Sequence, residues 1–444
     1  RSNLSSRTDA NGTVITYTCD LNDRCVRKDI TPAAGVAGTT TFEEFSYDGL
    51  SRLVRGTNNT SMVEFSYDSM GNTIGGKADC LAAFATFDGQ GNRLSLAYPG
   101  GRAVQWTYDA LDRVATVGSA PPGGAFASHA SFAYEGPDRL TRIARANGIN
   151  TRIFWNGLQN PANSPGDFGF KQVSRINHAK AGGNPVIDQR AFAYDRAQNK
   201  TLRAQTSPFS LGAPTSTNTW TYDPLDRLQQ RTTFQANSLA SASYQLDGNG
   251  NRQIVTADGV AQLYQMNNAL PEPADSQMNQ YSLTPFGNQQ FDRNGNLVFR
   301  ASVTGGTIYH YDYADRLVGV ERTVGLAIIP VVSFTYDVLG RRISKTTYPP
   351  APAAPLTTQF IYDPDIDGDG IIEFRQNGAV GATFVLPEVD DEVLVAFTAA
   401  DAAAYFHGDD LGNVLALTDG AGNVLEHYDY DDYGAVTFLA SDGF

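Results

Sequence analysis

Apolar and polar residues alternate along most of the chain in short runs that are interrupted by clusters of Asp, Asn and Gly. Trp106-Thr107-Tyr108 is one such run, Asp109 to Asp112 is a polar bend, and Val114-Ala115-Thr116-Val117 leads away from it. Alternation of this kind predicts a half-buried β-strand, and Asp, Asn and Gly accept the backbone angles of tight reversals. The pattern predicts a series of β-hairpins, with at most a marginal helix at Thr398 to Ala404.

The predicted hairpins carry a seven-residue signature that recurs with drift; it begins Tyr-Asp in the clearest copies, which have Arg at the sixth position, followed in most of them by Leu or Val. Copies lie 20 to 28 residues apart within the regular stretches, a period typical of arrays whose units bury their apolar faces against neighbours. We expect Asp and Arg near the turn, with Tyr largely buried on the same side as the returning Leu or Val. The clearest copies begin at Tyr47-Asp48, Tyr108-Asp109, Tyr222-Asp223, Tyr311-Asp312 and Tyr336-Asp337, and looser ones at Tyr67, Phe87, Tyr134, Tyr194, Leu246, Phe291 and Tyr430-Asp431.

The array is less regular at residues 145–190 and 267–290, where the signature lapses. Tyr348 to Pro355 is rich in Pro, which cannot donate to a strand ladder, so this segment is expected to be an extended surface loop. A domain boundary there is possible. We favour a single array over residues 1–444, because signatures on both sides follow the same pattern, and we expect the chain to be part of a longer one.

The Tyr-Asp copies resemble the repeat of the Rhs, or YD-repeat, family, which includes shell-forming subunits of insecticidal toxin complexes and the teneurins. The resemblance is most specific at about residues 405–444, where Tyr405 to Val414 and Tyr428 to Gly434 resemble the approach to the Rhs-associated core. It implies an all-β fold in which hairpins form a continuous spiralling sheet around a hollow space. It also implies that the family's self-cleavage site would lie beyond residue 444, so no catalytic residue is assigned.

Composition narrows the function classes further. The formal net charge of −14 and the lack of a basic patch argue against nucleic acid as a partner. The sequence contains no run of eighteen apolar residues, so no membrane-spanning helix is predicted. From the resemblance we expect a secreted or cell-surface shell segment that encapsulates or scaffolds its own C-terminal polypeptide, such as a toxin. The alternatives are an extracellular surface or filament scaffold that binds glycans or proteins and, third, an enzyme within an irregular insertion.

One acidic stretch raises the question of calcium. Asp365, Asp367 and Asp369 alternate as in the loops of EF-hands and dockerins, whose oxygen ligands suit calcium. The twelfth position of such a loop would be Gln376 instead of the bidentate Glu that the motif requires. We therefore favour an acidic hairpin turn over a calcium site and expect no other cofactor.

Two further groups of residues have a chemical and a structural interpretation. Cys19 and Cys25 flank a predicted turn, where they could form a disulfide in an oxidising compartment or remain buried free thiols, whereas Cys80 has no evident partner. Acid–base chemistry is conceivable at several carboxylates and one histidine, but the interpretation as repeat and turn residues is favoured. These residues are His407 with Asp409 and Asp410, and the acids Asp429, Asp431 and Asp432.

Overall fold

The computed structural model describes residues 3–157, 170–208, 215–235, 238–267, 278–365, 370–389 and 392–440. Within these ranges every regular element is a β-strand, and no helix occurs, so none could cross a membrane. The predicted all-β fold of hairpins in long antiparallel sheets is confirmed. The chain divides into two compact units, one made of Arg1–Gly100 and Leu263–Gly381, the other of Gly101–Gln262 and Ala382–Phe444.

Unit 1 contains two runs of antiparallel strands. The first run is β1 (Ser6–Thr8), β2 (Val14–Cys19), β3 (Cys25–Thr31), β4 (Phe42–Tyr47), β5 (Leu53–Asn58), β6 (Met62–Tyr67), β7 (Thr73–Ala78), β8 (Leu81–Phe87) and β9 (Arg93–Ala97). The second run is β23 (Leu283–Thr284), β24 (Gly287–Phe291), β25 (Leu297–Ser302), β26 (Gly305–Tyr311), β27 (Leu317–Val324), β28 (Ala327–Tyr336), β29 (Arg342–Thr347), β30 (Leu356–Tyr362) and β31 (Ile371–Gln376).

Unit 2 repeats this arrangement, and the chain passes between the units after Gly100, within β22 (Val260–Leu263) and within β32 (Ala379–Val385). Its first run is β10 (Ala103–Tyr108), β11 (Val114–Ala120), β12 (Ala127–Glu135), β13 (Arg139–Arg145), β14 (Ile149–Trp155), β15 (Val173–Lys180), β16 (Val186–Tyr194), β17 (Lys200–Thr206), β18 (Thr215–Tyr222), β19 (Leu228–Gln235), β20 (Ser238–Leu246) and β21 (Arg252–Ala257). Its second run is β33 (Val395–Thr398), β34 (Ala403–Gly408), β35 (Val414–Asp419), β36 (Val424–Tyr430) and β37 (Val436–Ala440).

The signature forms a three-residue hairpin loop with a bulge. In the first regular copy the Ser51 N–H donates to the Asp48 carbonyl at 3.1 Å and the Asp48 N–H donates to the Arg52 carbonyl at 2.9 Å. Ser51, at the fifth signature position, has a φ of 65°, in the left-handed region that completes such a loop. Asp, Ser, Gly or Asn tolerate this conformation, which explains why turn formers recur there: Asp112, Asp226 and Asp315 have φ values of 57°, 58° and 59°.

The Asp at the second position holds the loop closed. Asp223 Oδ1 accepts the N–H groups of Leu225 at 2.9 Å and Arg227 at 3.0 Å, while Oδ2 accepts Arg227 Nε at 2.7 Å. The side-chain hydrogen bond from Arg227 is the largest reason why the pKa of Asp223 lies below its ordinary value. The same arrangement recurs at Asp48, Asp109, Asp312 and Asp337, and with Asn in place of Arg at Asp68, Asp88, Asp195, Asp247 and Asp292.

The Tyr at the first position joins each hairpin to the preceding one. The Tyr222 hydroxyl donates at 2.7 Å to the carbonyl of Lys200, the seventh signature residue of the previous copy. The Arg at the sixth position reaches in the opposite direction, so that the Arg52 guanidinium lies 4.5 Å from the Tyr67 ring centre. Hydroxyl-to-carbonyl bonds of the same kind link Tyr47 to Cys25, Tyr67 to Leu53, Tyr134 to Val114, Tyr336 to Leu317, Tyr362 to Arg342 and Tyr430 to Val414.

The signature tyrosines are half-buried, which differs from the expectation that they are largely buried. The physical reason is their place at the end of a strand beside the turn, away from the middle of the strand where the core packs; at Tyr47 and Tyr336 an Arg of the preceding hairpin lies against the ring. The six residues concerned are Tyr47, Tyr108, Tyr222, Tyr311, Tyr336 and Tyr430.

The apolar core of each unit lies where its two runs of strands meet. In unit 1 Leu53, Val63 and Phe65 pack with Val338. Gly56 leaves the space for this contact, because a Cβ there would collide with the Val338 side chain. In unit 2 the corresponding cluster is Ile149, Ile187 and Ala416.

Two stretches without a regular signature also form hairpins. Residues 149–155, 173–180 and 186–194 form the strands β14 to β16, so hairpins continue where the signature lapses. The marginal helix expected at Thr398 to Ala404 is wrong: the Asp401 N–H donates to the Thr398 carbonyl at 2.9 Å in a turn between two strands. Thr398 Oγ1 accepts the Ala402 N–H, which stabilises this hairpin turn. The segment 348–355 is an exposed loop, as predicted.

Burial should decide how much each signature Asp contributes to stability. The Asp337 side chain is fully buried against Arg341, whereas the Asp223 side chain is 18% exposed. We expect Asp337→Ala to lower the free energy of unfolding by about 3 kcal/mol, because Arg341 loses its buried partner, and Asp223→Ala to lower it by about 1 kcal/mol. Denaturant unfolding of both variants checks this, and equal losses would contradict it.

Candidate functional site

The largest concentration of buried polar side chains lies in unit 2, between strands β14 to β16 and β34 to β36. His178 Nε2 donates to the Gly408 carbonyl at 2.9 Å, and His178 Nδ1 lies 2.8 Å from Thr151 Oγ1, which also accepts Arg145 Nη1 at 2.5 Å. Burial, with the nearby Arg145 charge, lowers the pKa of His178 to about 4. The ring is therefore neutral near pH 7, and the geometry assigns its proton to Nε2.

His407 lies beside His178, with ring centres 5.4 Å apart. His407 Nε2 is 2.8 Å from Thr418 Oγ1, which also accepts Asn147 Nδ2 at 2.8 Å. Burial lowers the pKa of His407 well below its ordinary value, with Arg145 and His178 adding to the effect. The His407 side chain is fully buried on strand β34, as the interpretation as a repeat residue expected.

A buried charge network continues from these histidines. Arg190 Nε lies 3.2 Å from Asp188 Oδ1, and Arg190 Nη1 lies 3.4 Å from Asp409 Oδ2. Burial raises the pKa of Asp188, but the charges of Arg190 and the contact with His427 outweigh it and hold the pKa below its ordinary value. Because Asp188 and Arg190 lie on β16 and Asp409 follows β34, the network ties together stretches of chain about 220 residues apart.

Ser207, His427 and Asp188 form an arrangement that has the residue types of a catalytic triad but a different geometry. Ser207 Oγ and Asp188 Oδ2 lie 3.2 and 3.3 Å from the same ring atom, His427 Nε2. In a working triad the serine and the carboxylate bond to opposite ring nitrogens, so that the imidazole can relay a proton. All three side chains are fully buried, which removes them from contact with a substrate. The arrangement is a structural polar contact.

The acids considered for catalysis are separated by the structure. Asp409 Oδ1 caps its own turn by accepting the Leu411 and Asn413 N–H groups, and Asp410 pairs with Lys200 at 2.7 Å. Each of these carboxylates is occupied by a turn or a cation, so no acid–base pair with His407 forms.

The three acids near the end of β36 also have separate partners. Asp431 caps its turn through the Tyr433 and Ala435 N–H groups. Asp432 accepts Trp220 Nε1 at 2.9 Å and the Tyr244 hydroxyl at 2.6 Å. Asp429 lies 3.7 Å from Arg190 and 3.8 Å from Arg203.

A cavity of about 180 Å³ lies beside this network. Its floor is the polar face of β17 to β19, where Arg203 stands opposite Asn218, and His427 and Asp429 form part of its wall. Gln205 Oε1 and Asn218 Oδ1 are buried there, and neither has a hydrogen-bond partner among the residues that the structure describes. A cavity with such lining suits water or a small polar molecule that can donate hydrogen bonds.

The candidate calcium loop is only partly described. Asp365 is within the described residues, but Asp367 and Asp369 lie outside them. Asp363, at the start of the loop, is engaged by Arg93, whose Nη1 lies 2.6 and 2.8 Å from its two carboxylate oxygens, and its Oδ1 also accepts the Asp365 N–H. In the part of the chain that the structure describes, no cluster of three His, Cys, Asp or Glu side chains could hold a metal ion.

Comparison with known proteins finds a repeat match and a shared fold. The model of the family described as RHS Repeat matches residues 87–124, which include the signatures at Phe87 and Tyr108. A crystal structure of TcdB2-TccC3 has the same fold over 98% of this chain and 24% of its own length, with a TM-score of 0.76 and 14% identity. Residues 87–124 thus match an RHS repeat, and the chain as a whole has the fold of the TcdB2-TccC3 structure.

Two further similarities extend the comparison. The structure of the Photorhabdus luminescens Tc holotoxin pore matches 98% of this chain and 23% of its own chain, with a TM-score of 0.77 and 15% identity. The tRNA3(Ser)-specific nuclease WapA of Bacillus spizizenii is 26% identical over 197 residues, which are 44% of this chain and 8% of that protein. The chain thus spans less than a tenth of that relative and about a quarter of the matched structures.

Sequence reasoning missed the buried charge network. Asp188, Arg190 and Phe192 alternate along one face of β16, and all three are buried. The signal was therefore present as two charged residues on the apolar face of a strand, a pattern that requires a partner charge from elsewhere.

The calcium interpretation can be tested directly. We expect a chelator to leave the thermal midpoint unchanged, because Arg93 already neutralises Asp363 and the loop lacks the final Glu ligand. Calorimetry with and without chelator measures this, and Asp367→Ala serves as the matched variant. A drop in the midpoint that Asp367→Ala abolishes would establish a calcium site instead.

Stability should fall on acidification before the carboxylates titrate. The unfolded chain protonates His178 near pH 6.5, but the folded chain does so only near pH 4, so stability decreases as the pH falls through this window and is constant above it. The loss from His178 alone is about 3 kcal/mol at pH 4.

Thermal midpoints between pH 7.5 and 4.5 check this expectation. His178→Gln should reduce this dependence without abolishing it, because the buried His407, whose pKa also lies well below its ordinary value, still contributes. A midpoint that does not change over this range in the unmodified protein would contradict the prediction.

Proposed function

We propose that this chain is a structural segment of a YD-repeat shell, whose wall encapsulates or scaffolds a C-terminal polypeptide such as a secreted toxin. The main observation in support of this proposal is that nearly the whole chain shares its fold with TcdB2-TccC3. By the same proposal the protein is secreted or at the cell surface, and its partner is its own C-terminal cargo segment.

The contacts between hairpins support a wall. Signature tyrosines such as Tyr222 bond to the backbone of the preceding hairpin, and signature arginines reach the following one, as when Arg227 Nη1 donates to the Asp247 carbonyl at 2.6 Å. These contacts recur in both units. Contacts that recur from one hairpin to the next stabilise an extended sheet, whereas a catalytic site requires residues that occur once.

The burial and the contacts of the charged residues also support a structural role. The acids and histidines that suggested chemistry are buried in mutual contacts or cap turns, and buried ion pairs between distant stretches favour one arrangement of the chain. Arg93 with Asp363 in unit 1 and Arg190 with Asp188 in unit 2 are the main examples.

A surface scaffold that binds glycans or proteins is the second candidate. The cavity beside Gln205 and Asn218 favours it, because its unpaired acceptor oxygens match the hydroxyl donors of a sugar. This candidate requires no enclosed space and no cargo.

Cryo-electron microscopy of the intact parent protein, together with limited proteolysis, separates the two candidates. The shell predicts a hollow body with density inside, and a C-terminal segment that resists protease in the parent but is digested when produced alone. A solid extended rod, or a C-terminal segment cut equally fast in both contexts, would overturn the shell and leave the scaffold.

A further inference from the structure

Cys19 and Cys25 face each other across the first regular hairpin. Cys19 ends β2 and Cys25 begins β3, and the two are direct cross-strand partners next to a one-residue bulge. Both are free thiols and partly buried, and the Cys25 thiol contacts the Arg27 carbonyl at 3.5 Å. Cys80 is a third free thiol, exposed in the turn between β7 and β8.

The pair occupies the first and seventh positions of a signature. Cys25 is equivalent to a seventh residue because its carbonyl accepts the Tyr47 hydroxyl at 3.0 Å, as the Leu53 carbonyl accepts that of Tyr67. In the next hairpin the two positions are Tyr47 and Leu53, which pair across the strands and pack in one cluster. Side chains at these positions therefore lie on the same face of the sheet.

The register places the two cysteines within reach of a disulfide. Directly opposed residues of antiparallel strands have Cα atoms about 4.5 to 5.5 Å apart, and disulfides span Cα separations of about 4.4 to 6.8 Å. Their Cβ atoms are about 4.5 to 5.5 Å apart, against the 3.5 to 4.5 Å of a disulfide, so rotation of the side chains and a small local approach complete the geometry.

We propose that Cys19 and Cys25 form a disulfide within this hairpin under oxidising conditions. The two thiols give one S–S bond, releasing two protons, and a disulfide oxidant such as oxidised glutathione takes up the two electrons and leaves as two thiols. The bond closes the turn from Asp20 to Arg24. It thereby holds the two groups that contact the next hairpin, the Cys25 carbonyl and the Arg24 guanidinium, which lies 4.9 Å from the Tyr47 ring centre.

The environment sets how fast the bond forms. Burial raises the pKa of the Cys25 thiol, which reduces its thiolate fraction near neutral pH. Oxidation is therefore slow at pH 7 and faster at pH 8.5, because thiolates are the reacting species.

The test is thiol mapping on the purified chain after incubation in a buffer dominated by oxidised glutathione. Remaining thiols are blocked with N-ethylmaleimide and the protein is digested with trypsin, which cuts after Arg24 and separates the two cysteines into different peptides. We expect these peptides to remain linked, with a mass about 2 Da below their sum. Cys80 should carry the label or a glutathione adduct and should not join the linked peptides.

Variants separate this bond from non-specific oxidation. Cys19→Ser should remove the linked peptides, whereas Cys80→Ser should leave them intact. Oxidation should raise the thermal midpoint by a few degrees in the unmodified chain and in Cys80→Ser, but not in Cys19→Ser. Labelling of Cys19 and Cys25 at equilibrium, or bonds only between chains through Cys80, would overturn the proposal.

Discussion

The carboxylate at the second signature position is the contact on which the rest of this structure depends. One side chain accepts two backbone N–H groups of its loop and a side-chain donor from the sixth residue, as Asp223 does with Leu225 and Arg227. Hydrogen bonds to a charged group are worth about 1.5 to 3 kcal/mol each. Once the loop is closed, the Arg points toward the next hairpin and the Tyr toward the previous one. Local turn chemistry therefore determines the spacing of the whole array.

Contacts between the two runs of strands in each unit depend on buried charged side chains that are hydrogen-bonded. Glu373 is fully buried, yet its carboxylate accepts the Gly100 N–H at 2.8 Å and Arg375 Nε at 2.6 Å. A Cβ at Gly100 would collide with that carboxylate, so the absence of a side chain there is required. Buried charges of this kind add little net stability but penalise alternative pairings, because a shifted strand would leave a charge without its partner.

Local features of the fold could be predicted from the sequence, whereas contacts between distant stretches could not. The loop at Asp109 to Asp112 follows from residue types within seven positions, so its hairpin was predictable. The strands β14 and β15 lack the signature and were recognised only in part, because their hairpin is held by partners in other stretches: His178 bonds to the Gly408 carbonyl 230 residues away. No periodicity in a single sequence records such a pairing. The half-burial of Tyr222 was missed for a related reason, since its hydroxyl bonds to the Lys200 carbonyl of the preceding hairpin, which lies outside its own signature.

The interleaved order of the two units has a consequence for biosynthesis. Residues 1–100 belong with 263–381, and residues 101–262 with 382–444. A ribosome therefore completes the first run of each unit long before its partner run exists. Hairpins are local and can form in microseconds as they emerge, but closure of unit 1 waits for translation to pass residue 381. In the meantime the apolar faces around Val63 and Phe65 have no partner. Until then these residues form half-assembled sheets, the stage at which chaperones and solubilising surface charge matter most.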